Sequence, residues 1–162
     1  MHADAALARL ASSQHGVVSA AQAGAVGLTL DNLRTRVGAR LLIPVHRGVY
    51  RHAASPDSPR TDLMAAVLAC GDGAVTSHRS AGRLWRLRDV PRWRPEVTVC
   101  RTSCPMTPGI VVHRTDTLGP EDVAVVHGIP VTSVARSLLD LGAILPAPVL
   151  PPPARTPASA TW

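Results

Sequence analysis

Residues 29–51, TLDNLRTRVGARLLIPVHRGVYR, change from a helical repeat to two short extended runs around a basic turn. That succession limits the folds open to the chain more than any other stretch. Leu30, Leu33, Val37 and Leu41 recur at helical spacing and predict one apolar stripe. Thr29 is a suitable N-cap, and Gly38 loosens the pattern near its end. Asn32, Thr35 and Arg36 are expected opposite the stripe, with Arg34 and Arg40 on its flanks. Short polar and guanidinium groups of this kind can meet base edges and phosphates. Leu42 to Val45 and Val49 to Arg51 then read as strands, joined by His46-Arg47-Gly48, where Gly48 supplies the freedom of a tight turn. Five arginines (34, 36, 40, 47, 51) stand here against one acid, Asp31. The pattern fits a recognition helix with a basic wing. It also fits a core helix followed by a solvated hairpin.

The preceding residues favour the first of these. Ala5 to Gln14 is rich in Ala and Leu and predicts a helix ended by Gly16. Val17-Val18 is a short extended piece, Ser19 caps a helix over Ala20 to Ala25, and Gly27 closes the turn before Thr29. Helix, short helix, turn, helix and hairpin is the order of a winged helix-turn-helix, whose third helix enters the major groove. The expected DNA-contacting residues are Thr29, Asn32, Arg34, Thr35, Arg36, Arg40, His46, Arg47 and Arg51. This domain is assigned to residues 1–54, and Pro56 and Pro59 mark a linker after it.

Composition agrees with a polyanionic partner and excludes several chemistries. The formal charge is +6 and the pI about 10.9. All 17 basic residues are Arg, so a P-loop, a lysine-dependent nuclease site and Schiff-base chemistry are out. The fold must be built on an aliphatic core, because the chain has no Phe and one Tyr. Cys70, Cys100 and Cys104 form an odd set without a secretory leader, which suggests reduced thiols and a cytoplasmic location. Cys100 and Cys104 lack a second ligand pair at metal-binding spacing, so no metal or other cofactor is expected. No apolar run is long enough to span a membrane.

Residues 60–143 predict a small mixed α/β domain. Leu63, Met64, Val67 and Leu68 mark the buried face of a helix over Thr61 to Cys70. Ala74 to Thr76 is a candidate strand, and Ser77 caps the helical stretch SHRSAGRLWRL. Arg79, Arg83 and Arg86 share one side of that helix and suggest a second anion- or protein-contacting surface, or simply a solvated basic face. Glu96 to Cys100, Ile110 to Arg114 and Val123 to Val126 are short, β-branched and strand-like. Thr132-Ser133 caps a last helix with Val134, Leu138 and Leu141 on one face. Residues 144–162 hold six prolines and no periodicity, the composition of a disordered tail.

Three stretches, GVVSAAQAGAVGLTLDNLRTRVGARLLIPVHRGVYR, AVTSHRSAGRLWRL and VHGIPVTSVARSLLDL, together resemble the actinobacterial AbiEi-type antitoxins of type IV toxin–antitoxin systems. The resemblance runs over about residues 4 to 143. It implies an N-terminal winged helix that binds operator DNA and represses its own operon. It also implies an α/β domain that counteracts a nucleotidyltransferase-like toxin. Many proteins with this front half continue, after the equivalent of Leu138-Leu139-Asp140-Leu141, into a nuclease-like domain; here the proline-rich segment follows instead, as a truncation or frameshift would leave it.

The expectation is therefore an α+β, non-enzymatic regulator that binds double-stranded DNA. One alternative is a protein-interaction module that docks an acidic toxin without operator binding. Another is the targeting half of a nuclease lacking its catalytic part.

Overall fold

The front of the chain folds as helix, strand, two helices and a hairpin: α1 (His2–Ser13), β1 (Val17–Ser19), α2 (Ala20–Ala25), α3 (Leu30–Gly38), β2 (Leu42–His46) and β3 (Val49–His52). The computed structural model describes residues 2–87, 94–100 and 107–145, so the prolines expected to form a tail lie outside the described residues.

Local chemistry sets these elements. Ser19 and Gln22 cap α2 reciprocally: Ser19 Oγ accepts from the Gln22 N–H at 3.1 Å, and Gln22 Oε1 accepts from the Ser19 N–H at 3.0 Å. Thr29 and Asn32 do the same for α3. Gly16 has φ +85° and lies so close to Ser55 that an added Cβ would meet the Ser55 Cβ at 2.2 Å. Only glycine fits there.

The three strands form a sheet in the order β1-β3-β2, antiparallel throughout. Side chains alternate across β1, so Val18 faces α1 to α3 while Val17 faces the other way. Val18 packs with Leu7, Ala11, Ala23, Leu28, Leu33 and Leu42. Val17 joins Val49, Met64, Ala65 and Ile129 in a different cluster.

That second cluster reaches into the rest of the molecule. Helix α4 (Pro59–Cys70) opens on Ser58, whose Oγ accepts from the Thr61 N–H at 3.1 Å, with Pro59 inside the first turn. It is followed by β4 (Val75–Thr76), α5 (His78–Leu84), β5 (Glu96–Cys100), β6 (Val111–Thr115), β7 (Val123–Val126), β8 (Ile129–Thr132) and α6 (Val134–Ile144). The five strands make a mixed sheet in the order β6-β5-β4-β8-β7. The protein is thus α+β with two sheets. Helix α4 contacts strands of both. Accordingly it buries Thr61, Met64, Ala65, Ala66, Val67 and Cys70, more of its circumference than the expected stripe of Leu63, Met64, Val67 and Leu68.

The two faces of the larger sheet differ in kind. Val97 and Val99 of β5 pack with Ala66, Val67 and Cys70 of α4. The alternate residues Glu96 and Thr98 face the other side, together with His113, which stands in register with Thr98 on β6. Helices α5 and α6 pack against each other, and Trp85, just past α5, donates from Nε1 to the Thr132 carbonyl of β8 at 2.8 Å. Among the described residues, no helix is long and apolar enough to cross a membrane.

Two expected apolar faces are corrected. On α3 only Leu33 is fully buried; Leu30 is 60% and Leu41 53% exposed. The helix ends at Gly38, and Arg40 takes a left-handed turn (φ 57°), so Leu41 leaves the helical frame. On α6 the buried residues are Ser137, Asp140 and Leu141, whereas Val134, Leu138 and Leu139 are exposed. The polar face of α6 turns inward because there it meets polar groups: Ser137 and Thr132 hydroxyls lie 2.7 Å apart, and the Arg136 Nε donates to Asp140 at 2.9 Å.

Candidate nucleic-acid interface and a buried polar cluster

The expected DNA-contacting side chains fall into two groups. Asn32, Arg34, Thr35 and Arg40 are exposed along and just after α3, and Arg47 is exposed at the hairpin turn. Arg34 pairs with Asp31 at 2.8 Å, but both are more than three-quarters exposed, so the pair is weak and exchangeable. Thr29 and Asn32 hold the helix start, so an adenine contact through both amide atoms of Asn32 competes with the cap. Thr35 Oγ1 donates to the Asp31 carbonyl at 2.9 Å.

Three others point elsewhere. Arg36 does not lie opposite the buried stripe; it flanks it and binds Asp4 of α1 through Nε at 2.9 Å and through Nη2, while Nη1 donates to the Asn32 carbonyl. It docks α1 on α3. Arg51 gives Nη1 to the Ser55 carbonyl at 2.6 Å, and with His46, Asp57, Thr61 and Asp62 it lines a recess beside α4. Burial lowers the His46 pKa, and the nearby Asp62 carboxylate opposes that only in part. His46 and Arg51 therefore belong to the hairpin's inner side.

Arg79 and Arg83 keep to one side of α5, where both line a recess with Asp62 and Pro95, but Arg86 leaves the helical frame. Arg79 is half-buried and donates Nη1 to Glu96 at 3.1 Å. Arg83 is exposed on α5, and Arg86 follows the helix in a left-handed turn (φ 55°).

Arg79 leads to a constellation that spacing along the sequence does not reveal. Glu96 is fully buried on the polar face of the larger sheet. Its Oε1 accepts from Arg79 and its Oε2 from His113 Nε2 at 2.9 Å. Burial pushes this carboxyl up, but the His113 and Arg79 hydrogen bonds outweigh it and leave the pKa below the usual value. Asp140 mirrors the arrangement from α6: Oδ1 accepts from Arg136, while Oδ2 is buried without a hydrogen-bond partner, 4.0 Å from His78 Nδ1. Between the two carboxylates, the rings of His78 and His113 are stacked. His78 begins α5 with φ 50°, a strained conformation for a residue with a side chain. Burial and then the His113 charge lower the His78 pKa.

Compared with known proteins, the chain matches no family model and no curated protein.

Proposed function

We propose that residues 1–54 are a winged helix-turn-helix that binds double-stranded DNA, and that the protein is a transcriptional regulator of the AbiEi antitoxin type that represses its own operon in the cytoplasm. The observation that carries this reading is the succession of α3, the β2–β3 hairpin and the sheet order β1-β3-β2, with Arg34, Arg40 and Arg47 exposed on the consecutive elements. In such an arrangement α3 enters the major groove and the hairpin follows the backbone. Exposed Leu30 at the start of α3 then has a use, since an apolar side chain there can meet a thymine methyl. The protein binds and does not catalyse, and residues 60–143 form its partner-facing antitoxin domain. The resemblance of three stretches to these antitoxins supports the reading.

The test is titration of the purified full chain with DNA from its own promoter and with random DNA, at ~50 and ~200 mM salt, because released counterions make protein–phosphate binding steeply salt-dependent. Tighter binding to the promoter, weakening with salt, is expected. Equal affinity for both DNAs, or none, overturns operator recognition.

A second reading, docking of a nucleotidyltransferase-like toxin without operator binding, draws on one observation. Val134, Leu138 and Leu139 are exposed on α6, an apolar face of the sort that partners cover. Co-purification with the product of the adjacent gene, lost in Leu139→Glu, together with no promoter binding, would favour it.

A further inference from the structure

We propose that His78, Glu96 and His113 bind one divalent transition-metal ion of the zinc class, between the polar face of the larger sheet and helix α5. One donor atom from each of these three residues lies within 4.8 Å of the other two. Two imidazoles and one carboxylate form a mixed nitrogen–oxygen set that suits zinc and its neighbours, whereas magnesium and calcium favour oxygen alone.

The surroundings have the form of a supporting shell. Arg79 fixes one oxygen of Glu96 and leaves the other turned to His113. Arg136 fixes one oxygen of Asp140, and the second, buried and without a hydrogen-bond partner, stands 4.0 Å from His78 Nδ1. A carboxylate beside the non-ligating nitrogen of a metal-bound histidine orients the ring and raises its basicity. With Nε2 of His78 as the ligating atom, its Nδ1 meets the Ser77 hydroxyl at 3.0 Å, and Asp140 stands behind the same edge of the ring at 4.0 Å as a positioning residue. An otherwise unsatisfied buried carboxylate oxygen gains its purpose.

Stacked rings cannot direct their lone pairs to one point, so uptake requires one imidazole to turn. His113 is the one with room: it lies on β6, the outermost strand of its sheet, and its side chain is 28% exposed. The ion enters from that edge and takes the place of the Nε2 proton that His113 shares with Glu96; the neutral ring carries its one proton on Nδ1 instead, and only an imidazolium releases a proton to solvent. Bound there, it ties the start of α5 to β5 and β6.

The experiment uses the full chain stripped with a chelator and then titrated with Zn2+ against a chromophoric competitor. About one ion per chain is expected, with a rise in Tm. His113→Ala, near the surface and so compatible with folding, should abolish the binding, and Asp140→Asn should weaken it about 10- to 100-fold. The double variant Cys100→Ser, Cys104→Ser should bind as the parent does. Retention of Zn2+ by folded His113→Ala, loss of it in the cysteine variant, or no binding by the parent chain overturns the proposal.

Discussion

His15 donates from Nε2 to the backbone carbonyl of His127 at 2.7 Å, across 112 positions of sequence, and both residues have positive φ. The bond ties the turn after α1 to the β7–β8 turn. Nearby, Val17 and Val49 of the small sheet share a core with Met64 and Ala65 of α4 and Ile129 of β8. Residues 1–54 therefore rely on the later residues to cover half of their sheet. The full chain is expected to unfold in urea in one transition, with fluorescence and far-ultraviolet dichroism coincident. A fragment of residues 1–54 should melt well below it. Two separate transitions in the full chain would refute the shared core.

Gly16→Ala should destabilise strongly. The new Cβ collides with Ser55 and the residue keeps a left-handed backbone, together costing roughly 2–4 kcal/mol. Urea midpoints of the parent and variant measure the loss. The companion Ser55→Gly removes the collision and should recover part of it.

Leu33→Ala and Leu139→Ala separate a buried leucine from an exposed one. Leu33 is 1% exposed and should cost roughly 2–5 kcal/mol. Leu139 is 73% exposed and should stay within about 0.5 kcal/mol. A large loss at Leu139 in the isolated protein would contradict the orientation of α6.

On DNA, Arg47→Ala should weaken promoter and random sequences alike and make the salt slope shallower by about one unit. Arg34→Ala should lower promoter affinity more than random affinity, because in the proposed complex α3 is the element that meets the bases. Arg36→Ala should act mainly through stability, because its guanidinium holds Asp4. Titrations of all three variants on both DNAs distinguish these outcomes; a selective loss of promoter binding at Arg47 would assign base reading to the hairpin.

The pH dependence of stability should include His46. Burial depresses its folded-state pKa below the ordinary value of 6.5. Its contribution is then fully present above pH 6.5 and is lost as the pH falls through the folded value, because the unfolded chain binds the proton first. His46→Gln should make the fall in urea midpoint below pH 6.5 less steep. An unchanged profile would place His46 in solvent.

Much of the front half was legible because its signals are local. Ser19 and Thr29 do cap helices, and Gly48 does turn the hairpin with φ 72°. Misreading began where a residue type stood in for its environment. Of the apolar face expected on α6, Leu141 is buried but Val134 and Leu138 are exposed, because the helix turns Ser137 and Asp140 inward, where they meet Thr132 and Arg136. The polar cluster was illegible for a related reason. Its members come from α5, β5, β6 and α6, and only strand pairing brings them together. Arg36 looked like a reader of bases because Asp4, its partner, is 32 positions away.

Pro44 lies within β2, the outer strand of the small sheet, and the pairing with β3 shifts register between Pro44 and His46. A proline has no N–H to offer, and a bulge breaks the even spacing that a further strand needs. The rim of the hairpin is thereby a poor template for edge-to-edge assembly. The protein can carry an exposed, arginine-tipped hairpin at high local concentration without its copies zipping into fibrils along that edge.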